Sequence, residues 1–290
     1  MKVELPSFPA QSLLQLLPLA FAEDEGSGDI TSLSTLDPKA KGKAELLCKQ
    51  SGILAGLPLV QEIFSYRGIE VQLKSHCEEG QEIQKGDVIL SMQGPLYGLL
   101  VSERLILNFM QRLSGIATAT NAFAKILDGT KTKILDTRKT LPGFRALDKY
   151  AVAIGGGKNH RMGLFDMILV KDNHAEACGS VRAAVDRAFS KYGNKFTIEA
   201  EVSDLEELES LFTSSANIFL LDNMDDDLLE KSIQLSRKFA PHIKLEASGN
   251  MDLERIRRIR DFGLDYISVG ALTHSVMALD ISMNIVGIEN

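Results

Sequence analysis

The chain has 290 residues, 44% of them hydrophobic and 24% charged, with 39 acidic against 32 basic side chains and a formal net charge of −7. That length and composition allow a buried core in two domains or one large one, and the acidic balance excludes a domain-wide basic surface for non-specific nucleic-acid binding. No apolar run reaches transmembrane length, and Cys48, Cys77 and Cys178, odd in number and without a CxxC pair, exclude a disulfide framework or zinc site and fit a reducing cytoplasm.

At the N-terminus, Leu13 to Ala22 is an apolar run ending in Ala20-Phe21-Ala22, which imitates a signal-peptide cleavage site. Lys2 is the single positive charge before it, and Glu4, Pro6, Pro9 and Pro18 spoil the pattern, so a docked amphipathic helix is expected. From Lys43 to Leu100 the chain is β-rich. The runs KAELLCKQSGILAG, IEVQLKS and DVILSMQG are punctuated by Glu79-Gly80 and Lys85-Gly86-Asp87 turns. GQEIQKGDVIL is similar to the hairpins of biotinyl and lipoyl carrier domains. The Met-Lys or Asp-Lys tip of such carriers is missing, so a plain turn at Gly86-Asp87 is expected. Ser102 to Leu127 reads as a helix, with Ser102 as N-cap and Leu105, Phe109 and Leu113 on one face. In that register Arg104 is a cation in the first turn, opposing the macrodipole at about 0.3–1 kcal/mol. Such a misfit is found where a helix end contacts an anion.

Arg138 to His174 is basic inside an acidic protein, with seven Lys/Arg against three Asp, and it also carries His160 and His174. Like charges about 4 Å apart repel by roughly 4 kcal/mol at an effective dielectric near 20. Gathering Arg138, Lys139, Lys158, Arg161 and Lys171 around one cavity therefore implies an anionic ligand, the alternative being a solvated basic face. Gly155-Gly156-Gly157 reads as a mobile loop beside this cluster, without the strand context of a dinucleotide fingerprint.

Regular β runs follow: KILDT (133–137), DMILVK (166–171), FTIEAEV (196–202), IFLLDN (218–223), IKLEAS (243–248) and DYISVG (265–270), with helix-like stretches between them. Repeated βα units mean parallel strands with helical crossovers. A full eight-unit barrel needs about 250 residues, so the expected fold is α/β, an incomplete parallel barrel of six or seven strands over 113–275. A β-rich α+β domain over 1–112 precedes it. Asp136, Lys171, Glu201, Asp222, Ser248 and Ser268 all fall at strand carboxyl ends, where a barrel places its active site.

Glu199 and Glu201, two apart on one strand, share a face. Glu201 with Asp222 suits Mg²⁺ held through few protein ligands and several waters beside phosphates, the alternative being simple balance of Lys171 and Arg161. Ser248-Gly249-Asn250 and Ser268-Val269-Gly270-Ala271 follow the last two strands, where barrels commonly hold a phosphate. The residues thus suggest a phosphorylated sugar with Mg²⁺ and a small polyanion on the cations. Loss of pyrophosphate at a sugar carbon needs positioning and charge neutralisation more than a covalent nucleophile.

ERLILNFMQRLSGIAT, LDTRKTLPGFRALDKYAV, GGGKNHRMGLFDMILVKDNH, IEAEV, LLDN, LEASGN and DYISVGALTHSVMALDISM resemble the quinolinate phosphoribosyltransferase family, with TRKTLPGFR and NHR the most specific pieces. The resemblance runs from Gly28 to about Met283. It implies an irregular α/β barrel, a β-rich N-terminal domain and a C-terminal helix over 276–290 that returns to it. It implies conversion of quinolinate and phosphoribosyl pyrophosphate, with Mg²⁺, to nicotinate mononucleotide, pyrophosphate and CO₂. By matching motifs, Arg138, His160, Arg161 and Lys171 would grip the quinolinate carboxylates, and Arg104 would reach in from a neighbouring subunit of a dimer or hexamer. Lys139, Glu201 and Asp222 would serve pyrophosphate, ribose and Mg²⁺. Ser248, Gly249, Asn250, Ser268 and Gly270 would serve the phosphoribosyl pyrophosphate, Asn250 standing where the family pattern has glycine. Cytoplasmic location, and no nucleic-acid or membrane partner, are expected. The rival readings are a sibling transferase acting on nicotinate or another base, a Schiff-base aldolase using Lys171, and a sugar-phosphate-binding protein without turnover.

Overall fold

The structure, a computed structural model, describes residues 5–289. The chain divides into two compact units. One comprises the chain up to Asn121 together with Thr140–Gly156 and the segment from Leu272 onward; the other comprises Ala122–Lys139 and Gly157–Ala271.

In the first unit, α1 (Ala10–Asp24) buries Leu13, Leu17 and Phe21, an i, i+4 stripe, so the apolar N-terminal run is a docked helix as expected. Then come α2 (Ile30–Thr35), β1 (Lys41–Cys48), β2 (Gly52–Ile53), α3 (Pro58–Tyr66), β3 (Gln72–Ser75), β4 (Glu82–Ile83) and β5 (Val88–Pro95). Between β4 and β5 the Gln84 amide donates to the Asp87 carboxylate at 2.8 Å, and Gly86 takes φ +100. The carrier-like segment is therefore a plain turn, as its lack of a lysine tip predicted.

Strand β5 runs directly into α4 (Leu96–Ile126), 31 residues long. The expected start at Ser102 is wrong. Ser102 is fully buried inside the helix, and Arg104 lies in its third turn, exposed, so the dipole argument for Arg104 falls. Gly98 hides the earlier start, since glycine usually marks a break. Here a Cβ would come 2.7 Å from Ile69 Cγ2, so glycine answers a close approach within a helix. The expected domain division at 112/113 falls inside this continuous helix.

The expected C-terminal helix over 276–290 is also corrected. Ile281–Glu289 is a strand, pairing antiparallel with β1 in a sheet of order C-terminal strand, β1, β5, β3, with a register shift at Lys43/Ala44. Ile281-Ser-Met-Asn-Ile-Val alternates in burial at its start and is β-branched, and β1 offers it an open edge.

The second unit carries β6 (Lys133–Leu135), and the chain then passes through α5 (Arg145–Ile154), which belongs to the first unit. It continues with β7 (Ile168–Val170), α6 (Asp172–Cys178), α7 (Val181–Tyr192), β8 (Ile198–Val202), α8 (Leu205–Ser210), β9 (Ile218–Asp222), α9 (Asp226–Phe239), β10 (Lys244–Ser248), α10 (Leu253–Ile259) and β11 (Tyr266–Ser268). The six strands form one parallel sheet of order β6-β11-β10-β9-β8-β7. Each of the six predicted runs supplies one of them. Lys158 makes a one-residue parallel bridge to Leu135 on the free side of β6. Arg161 Nη1 donates to the Met167 carbonyl, just before β7, at 3.1 Å. The 158–161 segment thus lies along the free edge of β6, tied toward β7 by one side-chain bond. Ser180, Asp204, Asp225 and Asp252 cap α7 to α10 through side-chain oxygens accepting from amides three residues on.

Candidate active site

The strand carboxyl ends of the second unit open on a cavity of about 330 Å³, lined among others by Thr137, Arg138, Lys139, His160, Arg161, Lys171, Glu201, Asp222, Glu246, Ser248 and Ser268. Arg138, Lys139, Arg161 and Lys171 therefore face one space with the acids of the later strands, whereas Lys158, grouped with them in the sequence reading, is not among its lining residues. Gly249, Asn250 and Gly270 follow the strand ends but are not among the lining residues. Arg104 belongs to the first unit.

The rim is built from neighbouring strands. Lys171, at the end of β7, ion-pairs through Nζ with Glu201 Oε2 of β8 at 3.1 Å. Its backbone N–H donates to His174 Nδ1 at 3.0 Å, which closes the start of α6 and fixes where the lysine stands. At the ends of β9 and β10, Ser248 Oγ donates to Asp222 Oδ1 and Asn223 Nδ2 donates to its Oδ2. Both carboxylate oxygens of Asp222 are thereby oriented.

Beneath the rim lies a second layer that the sequence reading only half finds. Asp136, expected at the rim, is fully buried and accepts the His160 backbone N–H at 2.9 Å. It anchors the 158–161 segment. His160 Nδ1 accepts from the Arg161 backbone N–H at 2.7 Å, while Nε2 stands 3.0 Å from Glu199 Oε2 and 3.7 Å from Glu246 Oε1. Nδ1 is thus engaged as an acceptor, and Nε2 lies within ion-pair distance of the two buried carboxyls. Glu199 and Glu246 are almost fully buried, and Ser268 Oγ donates to Glu246. Burial pushes both carboxyls well above the ordinary range, to about 7 for Glu199 and about 8 for Glu246, the Glu199 charge adding to the second shift. Burial, and then the neighbouring Arg138 charge, lowers the pKa of Arg161.

Glu246 is missed from sequence. It stands two residues before Ser248, the same spacing that joins Glu199 to Glu201, and an acidic residue in mid-strand between buried apolar ones is the available signal. Spacing alone pairs Glu199 with Glu201. Fold depth separates them, placing one in the floor and one at the rim. Ser268 lines the cavity and donates to Glu246 in its floor.

Residues 29–114 match the quinolinate phosphoribosyl transferase N-terminal domain, and residues 116–284 match the C-terminal domain of the same family. The chain belongs to the quinolinate phosphoribosyl transferase family. It is 43% identical over 273 residues to the probable nicotinate-nucleotide pyrophosphorylase [carboxylating] of Bacillus subtilis strain 168, covering 94% of this chain and 93% of that one. It is 39% identical over 304 residues to a decarboxylating mitochondrial quinolinate phosphoribosyltransferase of Nicotiana tabacum, covering 98% and 85%. Its fold superposes on NadC from Streptococcus pyogenes with a TM-score of 0.88 at 38% identity, covering 95% and 96%. For the nicotinate-nucleotide pyrophosphorylase of Francisella tularensis the TM-score is 0.89 at 35% identity, covering 98% and 100%. Family membership thus accounts for the α/β barrel and the β-rich unit together.

Proposed function

We propose that this chain transfers the phosphoribosyl group of phosphoribosyl pyrophosphate to the ring nitrogen of quinolinate and releases CO₂, giving nicotinate mononucleotide and pyrophosphate for NAD biosynthesis. Family membership supports the reaction class and substrates. The observation that carries the reading is the opposed charge of one cavity, with Arg138, Lys139, Arg161 and Lys171 facing Glu201 and Asp222. A dicarboxylate placed among cationic forks is oriented and selected against a monocarboxylate, because losing one carboxylate leaves part-buried cations uncompensated. His160 serves as the wall of this pocket, its ring held from behind by Glu199.

Bond formation joins the pyridine nitrogen to the sugar carbon as pyrophosphate leaves with the bonding pair. The N-ribosyl pyridinium then accepts the electrons of the C2–carboxylate bond as CO₂ departs, and C2 takes a proton. Lys139 lines the cavity, and its charge would steady the leaving pyrophosphate. Glu201 and Asp222 fit Mg²⁺. Among the described residues the one cluster of three metal-ligating groups is the buried His160, Glu199 and Glu246. Glu201 and Asp222 at the rim would hold Mg²⁺ through few protein ligands, in the manner that ion favours. Bound there, Mg²⁺ would neutralise charge on the pyrophosphate.

Arg104 is read as completing the base subsite from a second copy in a dimer or a hexamer, supported by its exposure on α4 and by the family likeness. A cytoplasmic location is read from three unpaired cysteines, and no described helix is long and apolar enough to cross a membrane. The deciding assay is ¹⁴CO₂ release from carboxyl-labelled quinolinate, which should require both phosphoribosyl pyrophosphate and Mg²⁺. Turnover of nicotinate in place of quinolinate, or borohydride trapping of a substrate on Lys171, would overturn the reading.

A further inference from the structure

We infer that Asn223 and Arg255 are positioning residues for the sugar-phosphate half of the cavity, cross-bracing the ends of β9 and β10 so that Asp222 and the Gly249 loop form one fixed cradle. The inference deepens the proposed function and rests on its assignment of these strand ends to phosphoribosyl pyrophosphate.

Three observations converge on the brace. Asn223 has φ +53 and Asn250 has φ +47, the two non-glycine residues with positive φ among the described residues. Such conformations are unfavourable for a residue that carries a Cβ and persist where the surroundings over-determine them. From this conformation the Asn223 backbone N–H donates to the Ser248 carbonyl at 3.1 Å while its side-chain amide donates to Asp222. A single residue therefore ties the two strand ends together and orients the carboxylate. Gly249 is the counterpart: a Cβ on it would overlap Asn223 Oδ1, so the loop packs directly against that amide.

Arg255, on α10 behind the loops, supplies the second half. Its Nη1 donates to the Gly249 carbonyl at 2.7 Å, its Nη2 to the Met224 carbonyl, and its Nε to Asp226 Oδ1 at 3.1 Å. One planar guanidinium, only 13% exposed, thus joins the loop after β9 to the loop after β10. A lysine retains the charge but cannot reach three acceptors in that fork. Neither residue lines the cavity itself. Asn223 acts through Asp222 and Ser248, which do, and Arg255 through the Gly249 loop that directly follows Ser248. Displacement of a catalytic group by about 1 Å can cost on the order of a hundredfold in rate.

The test uses the full-length protein with Asn223→Gly, which tolerates the positive φ and removes the amide, and Arg255→Lys, which keeps charge and removes the fork. Steady-state kinetics vary each substrate separately, and calorimetry titrates ribose 5-phosphate in magnesium-free buffer. The expected result in both variants is a rise of roughly tenfold or more in KM for phosphoribosyl pyrophosphate, a parallel rise in Kd for ribose 5-phosphate, and a KM for quinolinate within about twofold of wild type. Unchanged phosphoribosyl pyrophosphate and ribose 5-phosphate constants, or a proportional rise in KM for both substrates, overturns the inference. If Arg255→Lys does not fold, Asn223→Gly decides alone. A wild-type protein without quinolinate-dependent CO₂ release overturns the functional reading instead, and the ribose 5-phosphate titration still decides the cradle.

Discussion

Replacing Glu246 by Gln tests the buried floor of the cavity through the pH dependence of stability. Glu199 and Glu246 are both raised above the usual carboxylate value, to about 7 and about 8, chiefly by burial. In the unfolded chain both titrate near the ordinary value of about 4.3. Between roughly pH 4.5 and 8 the folded protein therefore binds more protons at this pair than the unfolded chain does, so stability falls as pH rises. One retained proton corresponds to a slope of about −1.4 kcal/mol per pH unit, or roughly 3 kcal/mol lost between pH 5.5 and 7.5. The glutamine side chain in the Glu246→Gln variant keeps the acceptor for Ser268 Oγ and offers Glu199 an N–H, which mimics the protonated state at every pH. Urea denaturation of both proteins across this range is the assay. The wild-type stability should decline more steeply than that of Glu246→Gln, by about 1 kcal/mol per pH unit, and the variant should be the more stable at pH 8. Parallel pH profiles would refute the argument, because they would mean that the pair holds no extra proton in the folded state.

Three further outcomes are expected. Gly115→Ala should destabilise the protein by about 2 kcal/mol or more in thermal melts, because the added Cβ would overlap the Met277 carbonyl oxygen and neither backbone can yield without moving α4. Mixing inactive Arg104→Ala with inactive Lys171→Ala, after dissociation and reassociation, should restore up to about a quarter of wild-type activity if a dimer shares its sites. No recovery in proven heterodimers would count against sharing. Lys139→Met should slow the pyrophosphate-releasing step in single-turnover assays by roughly a hundredfold. An unchanged rate for that step would remove Lys139 from the role.

Much of the barrel is legible because each strand is a short apolar run ending in a polar residue, and because Ser180, Asp204, Asp225 and Asp252 announce the helices that follow. Legibility fails where one residue type serves two purposes. Gly98 looks like a break and is a packing contact, so α4 reads as beginning six residues late and Arg104 as sitting at its start. The segment Ile281–Glu289 reads as a helix by family resemblance, and the open edge of β1, about 240 residues away in sequence, makes it a strand.

The linear chain determined the kinds of chemistry present: the local excess of cations, the carboxylates and serines at strand ends, and the family motifs that contain them. These follow from composition and short-range periodicity, which are properties of neighbours along the backbone. Depth was decided only by the tertiary structure. Asp136, Glu199 and Glu246 became the floor, while Glu201, Asp222 and Lys171 became the rim, because parallel strands of one sheet set each residue's height by its register with strands far away in sequence. The same register brings Asn223 against Gly249 and Arg255 beneath both, contacts that depend on where separate βα units come to lie beside one another.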